Sequence, residues 1–244
     1  MTSDPLVAKN RKFYDALWSG TYLTRPERFN TWPAISSLLQ SAPRRLEIGP
    51  GLRPRLPIAG THFVDISPTV VDQLNARQGI ARPGEITELP FDRAAFDLVA
   101  AFDVIEHVEN DARVFEELNR VLAPGGRLIF SVPLYSARWT TFDEYVGHAR
   151  RYEPVALQQL LASYGLVIEQ SGIFGMQSNS PRLLELAVKG LRKHHRFAML
   201  CYNWLIFPLG MALHKRLRVV PGLIDLTRVD EVFLICRRQS VASS

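Results

Sequence analysis

The chain has 244 residues, a length that suits one α/β domain with room for an insertion. With 47% hydrophobic and 22% charged residues, its composition is typical of a globular protein and excludes a fibrous or disordered one. Two distant cysteines, Cys201 and Cys236, exclude a disulfide framework and a zinc knuckle, and the net charge of +5 is mildly basic. We therefore expect a single domain over 1–244 with reduced thiols.

The first part of the chain, 1–40, is predicted to form a helical cap over the mouth of a sheet. Its aromatic residues are Phe13, Tyr14, Trp18, Tyr22, Phe29 and Trp32. Most such side chains serve packing, and one or two are expected to line a ligand pocket. No basic stretch followed by an apolar run opens the chain, so we expect no signal peptide and a cytoplasmic protein.

The next feature is an apolar strand, Arg45–Ile48, that runs into a turn bounded by Gly49 and Gly51. Glycine lacks a Cβ and tolerates positive φ, so such a turn lets the backbone approach a ligand closely. Asp65 ends a second strand and can bind two ribose hydroxyls. Pro54 replaces the third glycine of the dinucleotide fingerprint. The pattern indicates a nucleoside site, and the alternative is an ordinary Gly/Pro turn.

Helices and strands then alternate along the chain. Helices are predicted at 69–77, 111–122 and 155–163, with Ser67 as the N-cap of the first and a turn at 124–126 after the second. Strands are predicted at 62–65, 84–86, 96–102, 127–132, 166–169 and 231–236. This alternation predicts a doubly wound α/β sheet of seven strands, mostly parallel with an antiparallel last strand. A helical cap precedes the sheet, and a helical insertion precedes its last strand.

Six motifs between about 40 and 135 resemble, in order and spacing, those of class I S-adenosylmethionine-dependent methyltransferases. They are Leu-Glu-Ile-Gly-Pro-Gly at 46–51, Val-Asp-Ile-Ser at 64–67, Gly-Glu-Ile-Thr-Glu-Leu-Pro-Phe at 84–91, Phe-Asp-Leu-Val at 96–99, Asp-Val-Ile-Glu-His-Val at 103–108 and Leu-Asn-Arg-Val-Leu-Ala-Pro-Gly-Gly-Arg-Leu at 118–128. Each motif alone is a weak signal, and the combination is a strong one. The resemblance implies a Rossmann-like fold with S-adenosyl-L-methionine as the cofactor.

The resemblance also implies cofactor contacts. Glu47 would bind the ammonium group of the methionine portion, and Asp65 would take the ribose hydroxyls. Glu85 stands where the family commonly has Asp beside the adenine amino group, so that contact departs from the family pattern. The full set implied for cofactor binding is Glu47, Gly49, Pro50, Gly51, Asp65, Ile66, Glu85, Ile86, Leu89, Phe102 and Asp103.

Segment 139–152 follows the fifth predicted strand and is longer than a plain βα loop, and such loops usually carry function. Within it, His148 is our first candidate for a general base, because unperturbed histidine titrates near neutrality. A base is needed only if the acceptor keeps a proton. His107 and Tyr152 complete the catalytic candidates. The alternative is that His148 and the Arg150–Arg151 pair only hold the loop in place.

Asp103, Glu106 and His107 form a second group, because positions three and four apart share a face of a helix. A similar sequence binds a divalent ion in some small-RNA 2′-O-methyltransferases and quinone methyltransferases, and His148 could be a further ligand here. Oxygen and imidazole together would suit magnesium or manganese. Many related methyltransferases carry this sequence without metal, and we expect no metal here.

About fifty residues, 176–228, separate the last two predicted strands. A basic amphipathic helix over 181–196 is followed by an apolar stretch, 197–213, at the short limit for a membrane span and interrupted by Asn203, Pro208 and Gly210. The insertion is therefore either a helical lid, packed on the domain or on a second subunit in a homodimer, or an interfacial segment. In the second case, 182–217 would contact anionic lipid on the inner membrane face as a peripheral protein.

Both interpretations favour a hydrophobic acceptor near the active-site edge. The leading prediction is therefore methyl transfer to a hydrophobic small molecule or lipid-like acceptor, by in-line displacement and onto oxygen. The first alternative is an RNA methyltransferase with a divalent-metal site. Nucleic acid is disfavoured because the basic residues alternate with Leu and no RNA-binding module is present. The second alternative is a non-catalytic partner or membrane-docking subunit.

Overall fold

The computed structural model describes residues 13–15, 17–18, 20–175, 185, 188–191, 193, 195–213 and 216–240, with only the backbone at 195 and 196. The start of the predicted cap and most of the predicted basic helix over 181–196 lie outside the described residues. Within the cap, 13–15 and 17–18 are helical, and short helical turns follow at Pro26–Arg28 and Leu39–Ser41.

The centre of the fold is an eight-stranded sheet in the order β3-β2-β1-β4-β5-β8-β6-β7. The strands are β1 (Arg45–Ile48), β2 (His62–Asp65), β3 (Ile80–Pro83), β4 (Phe96–Phe102), β5 (Leu122–Pro133), β6 (Leu166–Phe174), β7 (Val219–Pro221) and β8 (Glu231–Arg238). Strands β1 to β5 pair in parallel, whereas β8 is antiparallel to both β5 and β6. The predicted α/β sheet with an antiparallel last strand is therefore confirmed.

Two details of the predicted sheet are wrong. There are eight strands and not seven, because Val219–Pro221, inside the insertion, pairs with β6 at the sheet edge. The third strand is Ile80–Pro83 and not 84–86, where the chain instead turns through a bridge between Glu85 and Glu88. As an edge strand, β3 buries only Ala81, so it lacks the apolar run that marks the inner strands.

Helices cover both faces of the sheet. They are α1 (Trp32–Ser36), α2 (Pro68–Asn75), α3 (Asp111–Val121), α4 (Thr141–Val146), α5 (Pro154–Ser163), α6 (His195–Cys201) and α7 (Phe207–Leu213), with a π-helical turn at Tyr202–Ile206 joining the last two. Alternate side chains of β4 separate the two layers of the core. Val99 and Ala101 pack with α3 and α5, whereas Leu98 and Ala100 pack with α1.

The helix starts and ends follow the sequence with small differences. Helix α3 (Asp111–Val121) agrees with the predicted helix at 111–122 and buries Val114, Leu118 and Val121 on one face. The turn predicted at 124–126 instead forms the irregular start of β5, where the pairing with β4 shifts register. Ser67 occupies the N-cap of α2 but makes no side-chain cap bond, because its hydroxyl donates to Asp15.

The carboxyl ends of β1, β2, β4, β5 and β6 meet the start of β8 at one edge of the sheet. Strand β1 lies between β2 and β4. The chain runs from β1 outward through β2 to β3 and then crosses back to β4 on the other side of β1, so the strand order reverses at β1. In an open α/β sheet, ligands bind at such a switch point, outside the carboxyl ends of the strands. Within the described part of the chain, no helix has both the length and the hydropathy needed to cross a bilayer.

Candidate functional site

The turn after β1 has the backbone geometry of a close-approach loop. Gly49 and Gly51 have φ values of +60° and +54°, in the left-handed region that favours glycine. A Cβ on Gly49 would lie 2.6 Å from Cγ2 of Val104, and a Cβ on Gly51 would overlap the indole ring of Trp18. Only glycine fits at either position, and the cap reaches the turn through Trp18.

Asp65, at the end of β2, lies against this turn. Its Oδ2 accepts a hydrogen bond from the Gly51 amide at 3.0 Å, and its Oδ1 accepts one from the Ser67 amide at 2.8 Å. Burial raises the pKa of Asp65 to about 6, although the two amides oppose that shift. The structure thus brings Asp65 and Gly51 together as a nucleoside site requires, and the contact with ribose stays a prediction.

Glu47 is fully buried, and its carboxylate is already engaged. Both of its oxygens accept from the Arg55 amide, at 2.9 and 3.0 Å, and Oε2 also accepts from the Leu56 amide at 2.9 Å. Burial raises the pKa of Glu47 to about 7. Glu47 therefore holds the loop that follows the glycine turn, and its contact with the cofactor ammonium group stays a prediction.

The residues predicted around the adenine follow β3. Ile86 and Leu89 are buried, whereas Glu85 and Ile66 are half-buried. The Leu89 amide donates to Oε2 of Glu117 on α3 at 2.8 Å, which fixes this turn against the helix. An apolar wall with a half-exposed carboxylate can border a purine ring, and the individual contacts stay predictions.

Asp103 directly follows β4 and is exposed at the mouth of the site. Its φ is +53°, an uncommon conformation for a residue with a Cβ, and such strain clusters at functional sites. The Ser131 hydroxyl donates to Oδ1 of Asp103 at 2.6 Å and stabilises this conformation. Phe102 next to it is buried and stacks on Phe233 with 6.1 Å between ring centroids.

Two ionisable residues that the sequence did not indicate, Glu231 and Arg55, lie close to Asp103. Glu231, the first residue of β8, is buried, and burial together with the nearby Asp103 raises its pKa well above the usual range. The Arg55 guanidinium lies 3.8 Å from the Phe29 ring centroid and within 6 Å of the Phe102 ring. Burial lowers the pKa of Arg55 to about 10. These residues are far apart in sequence, and only the pairing of β8 with β5 and β6 brings Glu231 to this edge.

His148 forms a pair with Asp143 of α4. Its Nδ1 lies 2.8 Å from Oδ1 of Asp143, which also accepts from Nε of Arg151 at 3.0 Å. Burial alone would raise the pKa of Asp143, but hydrogen bonds from His148, Thr140 and Arg151 hold it well below its usual range. An ionised Asp143 makes Nδ1 of His148 a donor and places the lone pair of the ring on Nε2, which lies 3.9 Å from Oε1 of Glu106. This is the arrangement a general base needs.

The other two catalytic candidates have competing partners. The Tyr14 hydroxyl lies 2.9 Å from Nε2 of His107, and burial lowers the pKa of His107 to about 3. The neutral His107 ring donates from Nδ1 to the Gly147 carbonyl at 3.0 Å. Its Nε2 lone pair therefore accepts the hydrogen bond of the Tyr14 hydroxyl. The Tyr152 hydroxyl donates to Oδ2 of Asp111 at 3.2 Å. Their catalytic roles stay predictions, and Tyr14 is a contact that the sequence did not indicate.

Glu106, His107 and His148 could hold a metal ion, because one ligand atom from each lies within 4.8 Å of the others. Glu106 is fully buried, and its Oε2 has no hydrogen-bond partner among the described residues. One carboxylate and two imidazoles suit zinc or manganese. Asp103 is not part of this group and bonds Ser131 instead, and the Tyr14 hydroxyl lies on Nε2 of His107.

Comparison with known proteins agrees with this geometry. The family model described as a methyltransferase domain matches residues 47–130. A malonyl-[acyl-carrier protein] O-methyltransferase of Herminiimonas arsenicoxydans is 39% identical over 99 residues, which are 39% of this chain and 37% of that protein. The match thus spans little more than a third of the length of this curated relative.

Solved structures show the same fold over nearly the whole chain. A S-adenosylmethionine-dependent methyltransferase from Thermotoga maritima superposes with a TM-score of 0.60 and 15% identity, covering 96% of this chain and all of that one. Phosphoethanolamine N-methyltransferase 2 of Haemonchus contortus, solved with S-adenosyl-L-methionine, superposes with a TM-score of 0.53 and 16% identity. That match covers 94% of this chain and 56% of the other. Residues 47–130 thus match a methyltransferase domain, and the solved structures show that the chain has the Rossmann-like fold of class I S-adenosylmethionine-dependent methyltransferases.

Proposed function

We propose that the protein transfers the methyl group of S-adenosyl-L-methionine to an oxygen of a hydrophobic small molecule or lipid-like acceptor. The observation that carries the proposal is the His148–Asp143 pair, which follows β5 at the sheet edge that also holds Gly51 and Asp65. A base and a nucleoside-binding turn at one edge are what methyl transfer to a hydroxyl requires.

The bound cofactor supplies a methyl group activated on a sulfonium centre. Asp65 and the turn at Gly51 orient the nucleoside, so that the acceptor oxygen can align behind the methyl carbon. Nε2 of His148 accepts the proton that the hydroxyl loses as the new carbon–oxygen bond forms. Asp143 stabilises the resulting imidazolium through its hydrogen bond to Nδ1. Asp65 and the turn at Gly51 would hold the cofactor, which would keep the electron pair of the broken carbon–sulfur bond.

The surroundings of Asp103 support a hydrophobic acceptor. Phe102, Phe174 and Phe233 pack together there, with ring centroids 6.0 to 6.2 Å apart. The Arg55 guanidinium lies within 6 Å of two of these rings and can attract an anionic group of the acceptor. The relative named as a malonyl-[acyl-carrier protein] O-methyltransferase supports oxygen as the methylated atom.

The test measures S-adenosylhomocysteine formation when purified protein and cofactor receive an organic-solvent extract, an aqueous extract or total RNA from cells. We expect formation with the organic extract alone. Formation with RNA, lost on adding a chelator, would replace the proposal with an RNA methyltransferase that uses Glu106, His107 and His148 as metal ligands. Cofactor binding without formation in any fraction would favour a non-catalytic partner.

A further inference from the structure

The helical segment 195–213 exposes a set of large apolar side chains, which we call the outer face. It consists of Phe197, Leu200, Trp204, Leu205, Ile206, Leu209 and Leu213, which are 49% to 73% exposed. These seven are half of the fourteen large apolar side chains that are exposed among the described residues, yet they lie within seventeen residues. Single exposed apolar residues are ordinary, but a patch of this kind marks an interaction surface.

The opposite face of this segment is fixed to the domain. Met199, Asn203 and Phe207 are buried. The Asn203 amide donates to the Leu17 carbonyl at 2.8 Å. Trp204, although 61% exposed on the outer face, also donates from its indole nitrogen to the Gly20 carbonyl at 2.9 Å. Because these bonds set the rotation of the helix, the outer face is directed away from the protein.

The part of the sequence that contains the outer face is strongly basic. Residues 176–220 contain eight Lys or Arg and a single Glu, a net charge of +7, whereas the whole chain carries +5. The remainder of the chain is therefore net negative. Lys189, Lys193, Arg216 and Arg218 flank the segment and are exposed. A partner that covers the outer face must be apolar and carry negative charge at its border.

We propose that the outer face docks the protein on an anionic lipid bilayer. Its apolar side chains would enter the boundary between headgroups and acyl chains, and the flanking cations would lie among the anionic headgroups. A second copy of this chain fits less well. Two copies that meet through this face would bring two borders of the same positive charge together, which costs free energy.

The outer face is also close to the proposed cofactor site. Arg53, two residues after Gly51, donates to Oδ1 of Asn203 at 2.8 Å and to the Tyr202 hydroxyl at 3.1 Å. Its guanidinium lies 3.5 Å from the Phe207 ring centroid. One helix thus contacts the cofactor loop on one side and exposes the outer face on the other. Docking would place the site beside the bilayer, where a lipophilic acceptor dissolves.

The test is flotation of the full-length protein with vesicles of phosphatidylcholine, alone or mixed equally with phosphatidylglycerol. We expect binding only to the mixed vesicles, weakened by salt. Leu205→Ser with Leu209→Ser should abolish it, because both side chains are more than half exposed. Val155→Ser with Val167→Ser, two exposed residues elsewhere, is the matched control. Equal binding by the two double variants would contradict the proposal.

Charge is tested separately. Lys189→Gln with Lys193→Gln should weaken binding to the mixed vesicles about 25-fold, since each basic residue near an anionic surface contributes roughly five-fold. Arg77→Gln with Arg93→Gln, also exposed, should leave it unchanged. No binding by the wild type would overturn the proposal. So would a dimer that the Leu205 and Leu209 changes dissociate, because the face would then join two copies. Vesicle binding requires no methyl transfer, so it is independent of the proposed function.

Discussion

The indole ring of Trp18 packs directly on Gly51 and leaves no room for a Cβ there. Trp18 also stacks on Tyr14, whose hydroxyl reaches His107. The cap therefore contacts both the cofactor turn, through Trp18, and His107, through Tyr14. This contact makes the cap a wall of the site, and a change at the turn must affect the cap.

Gly51→Ala is expected to lower cofactor affinity, because an alanine meets the Trp18 ring and also adopts an unfavourable φ of +54°. We expect a loss of about ten-fold or more. Gly190→Ala is the matched control, since a Cβ there meets nothing within 4 Å and alanine favours the helix. Isothermal titration with S-adenosyl-L-methionine measures both, and equal affinities would show that the turn does not approach the ligand.

Cofactor affinity is expected to fall as the pH drops below about 6, because Asp65 has a folded-state pKa of about 6 and must be ionised to accept from ribose. The folding stability of the cofactor-free protein depends on pH in the opposite direction. Since the folded pKa lies above the ordinary 3.8, the contribution of Asp65 to stability is greatest below 3.8 and is lost as the pH rises to about 6. Asp65→Asn should remove both dependences, and an Asp65→Asn variant that kept the acidic loss of affinity would exclude Asp65 as its source.

His148→Gln is expected to lower turnover by roughly 10²- to 10⁴-fold while cofactor affinity stays unchanged, because it removes the proton acceptor. His62→Gln is the control and should not affect turnover, because His62 lies at the amino end of β2, the end opposite Asp65 and the site. Turnover of His148→Gln at the wild-type rate would mean that the acceptor, such as a carboxylate, needs no base.

Glu231→Gln is expected to fold, because burial and the nearby Asp103 already favour the protonated, neutral form of Glu231. The folded pKa is above the ordinary 4.5, so ionisation of Glu231 lowers wild-type stability increasingly as the pH rises. The variant should therefore gain stability relative to the wild type from acidic to alkaline pH in urea unfolding. A difference that is constant with pH would place an ionised Glu231 in the folded protein.

Dialysis against a chelator is expected to leave turnover unchanged, because the proposed mechanism uses His148 as a base and requires no ion. The matched measurement is the metal content of the protein before and after dialysis. Turnover that is lost, restored by a divalent ion and abolished in Glu106→Gln would contradict this, and would assign Glu106, His107 and His148 as ligands.

The strand and helix pattern of the sheet could be predicted because buried strands such as β4 are continuous apolar runs. Edge strands lack this signal. Ile80–Pro83 buries one residue and was placed four residues too late, and Val219–Pro221 was missed within the insertion. The apolar pattern of a sequence indicates which residues are buried. An edge strand buries few residues and forms through its backbone hydrogen bonds to one neighbouring strand, which that pattern does not reveal.

The candidate site was predictable only in part. The meeting of Asp65 with Gly51 follows from adjacent parallel strands, and the sequence motifs indicated it. The sequence did not indicate that the Glu47 carboxylate accepts from backbone amides of its own loop, because the amides of Arg55 and Leu56 reach it only in the folded loop. Glu231 lies at the site because β8 inserts between β5 and β6, a pairing that joins residues far apart in the chain.

The most direct test of methyl transfer to a lipophilic acceptor uses cofactor labelled at the methyl carbon. The cofactor is incubated with the protein and total cell extract, and the mixture is then separated into organic, aqueous and RNA fractions. We predict label in the organic fraction, in a compound that mass spectrometry identifies as an O-methyl product. Label confined to RNA or to the aqueous fraction would contradict it.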